Sequence, residues 1–179
     1  MLGAFNCQGG GWCREKRDML PSPIHCVPCS TNVSPQDIEW NHGSSFQHDR
    51  RSFAMYSKKF DKIFILDVGE SINMTLNPLE YDILTVTPLL QDIAKDVCFA
   101  PIGLLNMMNS GGCVESIDLN GNLVMKVRGE GQFCVYASCQ PKVCKLDGEI
   151  TNFIYNSGDG RVLVEVPWKV EPTTLGLCF

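Results

Sequence analysis

No stretch of this sequence approaches the roughly 20 consecutive apolar residues of a bilayer-crossing helix, so a helical membrane protein is not expected. The first residues, Met1-Leu2-Gly3-Ala4-Phe5, lack the basic and apolar regions of a secretory leader. The sequons Asn32-Val33-Ser34 and Asn73-Met74-Thr75 therefore carry no expectation of glycosylation, and the expected compartment is the cytoplasm. Positive charge is scarce: 15 Lys and Arg stand against 20 Asp and Glu, a net charge of −5. Phosphate binding needs clustered basic side chains, and the two locally basic stretches, residues 14–17 and 50–59, are surrounded by acidic ones, so no nucleic-acid partner is expected. Histidine is rarer still, and His42 and His48 have no serine or cysteine nucleophile spaced for a triad. Helical periodicity is missing from nearly the whole chain.

What is present is a globular composition. Hydrophobic residues make up 44% and charged residues 20% of 179 positions, enough for one ordinary domain with a core and too few for two large ones. Ten cysteines would suggest a disulfide framework in a short secreted chain. Here Cys98, Cys113, Cys134 and Cys178 sit among apolar neighbours and are expected to stay reduced, as small hydrophobes. The chain opens on apolar, glycine-rich sequence with no polar lead-in, so its start reads as lying inside a longer protein.

Residues 97–119, VCFAPIGLLNMMNSGGCVESIDL, organise the pattern. An apolar run is interrupted by Pro101 and Gly103, resumes as LLNMMN and reaches Asn109-Ser110-Gly111-Gly112, where two glycines at positive φ would permit a sharp reversal. Upstream, residues 2–6 fit one short buried strand, and Gln8-Gly9-Gly10-Gly11 fit a turn that leaves Trp12 in need of a pocket. Residues 13–53, with Pro21, Pro23, Pro28 and Pro35, read as an irregular excursion holding one short strand, where Ile38 and Trp40 alternate with Asp37 and Glu39. Short β-branched and aromatic segments then recur, with turn chemistry at Asp67-Val68-Gly69-Glu70 and Asn77-Pro78-Leu79. Residues 91–96 read as a polar link or one helical turn. Asn120-Gly121 and Asp147-Gly148 mark two hairpins, because a type I′ turn needs φ > 0 at both central positions. The expected fold is all-β: an antiparallel β-sandwich of about eight to ten short strands over residues 54–179, preceded by an irregular segment, 1–53, with one or two short strands.

Three blocks carry a resemblance. Residues 2–13 (LGAFNCQGGGWC), 34–40 (SPQDIEW) and 99–112 (FAPIGLLNMMNSGG) are similar to blocks of plant raffinose synthases. Val127-Arg128-Gly129, Val135-Tyr136-Ala137-Ser138, Lys145-Leu146-Asp147-Gly148 and Val166-Pro167-Trp168 extend the likeness over nearly the whole chain, with residues 41–62 departing from it. The family so resembled includes stachyose synthases and the seed-imbibition, alkaline α-galactosidase-like proteins. The resemblance implies a galactinol–sucrose galactosyltransferase, which moves galactose from galactinol to sucrose by a retaining mechanism with two carboxylates on a (β/α)₈ barrel. It implies further that this chain corresponds only to the exit from the barrel and the C-terminal β-sandwich, both catalytic carboxylates lying upstream. On that footing no catalytic residue, metal or cofactor is assigned, and the barrel is the expected packing partner. The residues expected nearest the substrates of the whole enzyme are Cys7, Gln8, Gly9 and Trp12. The alternatives are a non-catalytic module for interdomain packing or oligosaccharide binding, and the same portion of a stachyose synthase or alkaline α-galactosidase.

Other groupings fall short of a site. Cys26-Val27-Pro28-Cys29, with His25, Cys7 and Cys13, has part of a zinc spacing, but five residues separate Cys7 from Cys13 where two to four are usual. Asp37/Glu39, Glu80/Asp82 and Asp147/Glu149 are carboxylates two apart, which on a strand share one face, ordinarily the solvated one. Gly9-Gly10-Gly11 lacks the Lys-Ser/Thr and helix of a phosphate loop. Trp12, Trp40 and Trp168 fit packing better than sugar stacking.

Overall fold

The computed structural model describes residues 1–8, 10–21, 27–38, 52–92, 96–119 and 122–179. In chain order its strands are β1 (Leu2–Phe5), β2 (Gly10–Cys13), β3 (Asp18–Pro21), β4 (Cys29–Val33), β5 (Ser52–Ser57), β6 (Lys62–Asp67), β7 (Ile72–Leu76), β8 (Tyr81–Pro88) and β9 (Leu90–Asp92). There follow β10 (Val97–Leu104), β11 (Val114–Asp118), β12 (Leu123–Val127), β13 (Gly131–Ala137), β14 (Val143–Leu146), β15 (Glu149–Thr151), β16 (Ile154–Asn156), β17 (Arg161–Val166) and β18 (Thr173–Cys178). The helical elements among the described residues are two 3₁₀ turns, Pro35–Asp37 and Ser110–Cys113. The all-β class is borne out, and every pairing is antiparallel. Among the described residues, 14 strands (β5–β18) make up the region where eight to ten were expected, and four (β1–β4) lie in the segment where one or two were expected. Several span only three or four residues, too few for an alternation to show, and three of those, β1, β2 and β3, lie in the segment that reads as irregular.

Three main sheets run in the orders β1-β8-β5-β6, β16-β17-β13-β10-β9 and β11-β12-β18-β14-β15, with ribbons β2-β3 and β4-β7. Side-chain alternation stacks them. On β13, Phe133, Val135 and Ala137 join Met125, Leu175 and Leu177 of the third sheet, while Cys134 faces the other way toward Ala54, Tyr56 and Ile63 of the first. The first sheet turns Met55, Leu66 and Leu84 toward Met74 and Leu76 of β7 and Val33 of β4. The β10–β13 sheet is therefore an inner layer, packed on both faces, which is why β10 is buried along nearly its whole length.

Pro101 and Gly103 do not break that run. β10 passes through both, with a bulge where its register to β13 shifts between Pro101 and Gly103. Such bulges are where a strand interior tolerates proline and glycine. The slip has a packing consequence: Ile102 packs in the cluster with the first sheet, and Leu104, two residues on, packs in the cluster with the third. Gly103 holds φ +105, and a Cβ there would lie 1.8 Å from the Ser110 carbonyl oxygen. The reversal after Asn109 is thus a 3₁₀ turn locked onto Gly103, without positive φ at Gly111 or Gly112.

Other local expectations are corrected in the same way. β1 is half-exposed, with Phe5 63% exposed, instead of buried. Where the short strand with Ile38 was expected, Asp37 ends a 3₁₀ turn, Pro35–Asp37, and Ile38 is its extended C-cap; Ser34 caps the turn, its N–H donating to Asp37 Oδ2 (2.8 Å) while its Oγ accepts from Gln36 N (3.3 Å). Glu39 and Trp40 lie outside the described residues, as do His42 and His48. Gln91 and Asp92 belong to β9, paired with Cys98 and Val97, and not to a link or helical turn. Asp147 (φ 51) and Gly148 (φ 90) have the positive φ values of the expected type I′ hairpin. Asn120-Gly121 lies outside the described residues, but the strands flanking it pair from Val114↔Val127 to Asp118↔Val124.

Candidate functional site

Two of the residues expected near a substrate, Cys7 and Gln8, follow the end of β1. Asn6 is buried there, and its Nδ2 donates to Val27 O (3.1 Å) and Leu76 O (2.9 Å) while its Oδ1 accepts from Gln8 N (3.1 Å). One amide thus ties three segments, and its Ala replacement would strip the buried Leu76 carbonyl of this bond. Gln8 Oε1 accepts from Cys29 Sγ at 2.7 Å, and Cys7 is exposed. Trp12, on the β2–β3 ribbon, is 61% exposed and not seated in a pocket as its size suggested; Trp168 is exposed too. Gly9 lies outside the described residues, as do His25 and Cys26 of the cysteine cluster. The geometry therefore joins Gln8 to Cys29, and the residue that organises this corner is Asn6, which sequence reasoning passed over although it stands inside the first block.

Glu80 and Asp82 do not share one solvated face as their spacing suggested, since Glu80 is partly exposed and Asp82 is buried. Asp82 is buried and accepts from Lys59 N (2.9 Å), Ile83 N (2.8 Å) and Ser57 Oγ, fastening the β5–β6 turn to β8. Glu80 instead takes Lys59 Nζ and Asn77 N, and these bonds, the lysine's first, hold its carboxyl down at about 2. Asp147 accepts from Lys169 Nζ (2.6 Å) and Thr174 N (2.9 Å), and the lysine's hydrogen bond, above all, lowers its pKa. A general acid for glycosyl transfer needs a carboxyl pushed up, the opposite direction.

The densest polar cluster lies between the first sheet and the inner one. Arg161 of β17 places Nη1 2.5 Å from Asp61 Oδ1 and Nε 2.7 Å from Asp159 Oδ2, the second contact misaligned for a straight hydrogen bond. Tyr56 donates to the same Asp61 oxygen at 2.9 Å. Burial, aided by that bond, raises the Tyr56 phenol far above its usual range. Cys134 lies beneath, and burial pushes its thiol up to about 12, so it remains protonated and inert. Beside this cluster an open cavity of about 290 Å³ is bounded by Ile63 and Ile65 of β6, Tyr136 and Ser138, and the 155–160 hairpin. No sequence signal points to it, since Asp61 and Arg161 stand 100 residues apart.

Comparison with known proteins places this fold. The family described as "Raffinose synthase or seed imbibition protein Sip1" matches residues 1–166. The chain belongs to that family. It is 41% identical over 174 residues to probable galactinol–sucrose galactosyltransferase 5 of Arabidopsis thaliana, a match covering 94% of this chain and 22% of the relative. The galactinol–sucrose galactosyltransferase of Oryza sativa subsp. japonica is 40% identical over 175 residues, with the same coverage of 94% and 22%. The stachyose synthase of Pisum sativum is 32% identical over 175 residues, covering 96% of this chain and 20% of the relative. The chain spans about a fifth of the length of these relatives. Within this raffinose synthase family member, each of the three blocks that carried the resemblance holds a local fastening of the fold: the Asn6 amide in the first, the Ser34 cap in the second and the bulge at Gly103 in the third. Among the described residues, no helix is long and apolar enough to cross a membrane.

Proposed function

We propose that this chain is the C-terminal, non-catalytic β-sandwich portion of a galactinol–sucrose galactosyltransferase, and that it is inactive by itself. The observation that carries the reading is its identity of 38–41% to three galactinol–sucrose galactosyltransferases over nearly its whole length but only 22% of theirs. The carboxyl chemistry supports inactivity. Asp61 and Asp159 are tied to Arg161, Asp82 is tied to three donors, and the carboxyls with displaced pKa values, Glu80 and Asp147, are held low. Enzymes lower barriers by roughly 8–23 kcal/mol, and retaining transfer draws on two carboxyls about 5 Å apart with one pKa raised. The barrel that would supply them is also the packing partner in this reading. Phe5 and Tyr81, stacked with centroids 5.9 Å apart and both largely exposed, mark an apolar face it would cover.

The test is incubation of the purified chain with galactinol and sucrose, alone and joined to the remaining four-fifths of a relative. We expect no raffinose from the chain alone and turnover from the joined protein. Raffinose well above blank from the chain alone overturns the assignment of inactivity, and a joined protein that transfers galactose to water or raffinose instead overturns the assigned acceptor.

A further inference from the structure

We propose that the cavity between β6 and the β16–β17 hairpin binds a single neutral pyranose ring. At about 290 Å³ it lies at the small end of ligand pockets, which run from roughly 300 to 1,000 Å³, so it suits one ring and not an extended chain. Its walls have two characters. The lining is mainly polar, and Ile63, Ile65 and the rings of Tyr136 and Tyr155 supply its smaller apolar part, on which the C–H face of one pyranose could rest. Around them stand hydroxyls with bonding capacity left. Ser138 Oγ accepts from Cys98 N at 3.0 Å, which leaves its own hydrogen to donate. The hydroxyls of Tyr136 and Ser157 have no hydrogen-bond partner among the described residues. The Tyr155 hydroxyl already donates to Ala137 O at 3.5 Å, so it has only its lone pairs left to accept, while its ring remains as a wall.

Charge narrows the ligand class. The carboxylate in the lining, Asp159, is held by Arg161 Nε and by the N–H groups of Ile63 and Arg161, both at 3.4 Å. The other arm of Arg161 is held by Asp61. An anion would find no free cation here and a cation no free carboxylate, so a neutral polyhydroxylated ring is the chemistry the cavity fits. The proposal does not rest on the galactosyltransferase reading, because it concerns binding to this chain and no turnover.

The experiment is an amide NMR titration of the full chain with methyl α-D-galactopyranoside, beside glycerol, which has hydroxyls but no ring face, and inorganic phosphate. We expect saturable shifts at residues 136–138 and 155–160 with a Kd on the order of millimolar for the pyranoside alone. Tyr155→Ala should weaken binding about tenfold, the effect of losing one aromatic contact. Should Tyr155→Ala fail to fold, Ser157→Phe decides, since it blocks the mouth from an exposed turn position. No saturation by the pyranoside, shifts confined elsewhere, an equal response to glycerol, phosphate binding at these residues, or wild-type affinity in Ser157→Phe each overturns the proposal.

Discussion

Substituting Gly103 by alanine should be the most damaging one-methyl change in the described chain. Two separate penalties meet at this position. At φ +105 an L side chain is strained, which costs about 1–3 kcal/mol. The added Cβ would also lie 1.8 Å from Ser110 O, 2.3 Å from its carbonyl carbon and 2.8 Å from Gly111 N. Those atoms are backbone of the 3₁₀ turn and cannot rotate away, so the turn or β10 must move, at about 1–3 kcal/mol for overpacking of this kind. Together the loss is about 2–6 kcal/mol, a large share of the roughly 5–15 kcal/mol that a domain has. Two controls separate the penalties. Gly148 has φ +90, and a methyl added there would meet nothing within 4 Å, so Gly148→Ala should show strain alone, about 1–2 kcal/mol. Gly111 lacks positive φ, and a Cβ there would meet only Ile102 O at 3.8 Å, so Gly111→Ala should stay within about 1 kcal/mol of wild type or gain slightly. Equilibrium urea unfolding of the four proteins measures the series. If Gly103→Ala loses no more than Gly148→Ala, the locking of the turn onto the bulge is refuted.

Two further predictions test the electrostatics. Arg161→Met strands the Asp159 side chain, 5% exposed, and should cost about 3–5 kcal/mol in urea unfolding, whereas Asp61→Asn, at a side chain 68% exposed, should cost under about 1 kcal/mol; equal losses would show that the pair is not anchored as described. Glu80, lowered from 4.5 to about 2 chiefly by Lys59, binds its proton less readily folded than unfolded, so its contribution is complete above pH 4.5 and is lost as pH falls through about 2. Glu80→Gln should therefore flatten the acid limb of the Tm-versus-pH curve across that window, and an unchanged limb would contradict the Lys59 pairing.

Strand-forming composition, the Asp147-Gly148 hairpin and the clean alternation of β17 made the all-β class legible, because these signals are local and follow the two-residue period of a pleated chain. Family blocks at residues 2–13, 34–40 and 99–112 likewise read directly from the residues. What sequence left open were quantities set by partners distant in the chain. The run through Pro101 and Gly103 is one strand because β13 pairs across it and layers close over both faces; without those neighbours the same residues read as a break. Glu80 and Asp82, two apart in the chain, part company because one meets Lys59 at the surface and the other is drawn under the β5–β6 turn. Arg161, Asp61 and Asp159, and the cavity beside them, exist only where two sheets meet. Local periodicity decides which segments are strands; the burial of each strand's two faces, and the charges that must be paired there, is decided by the stacking of sheets, which no short window of sequence contains.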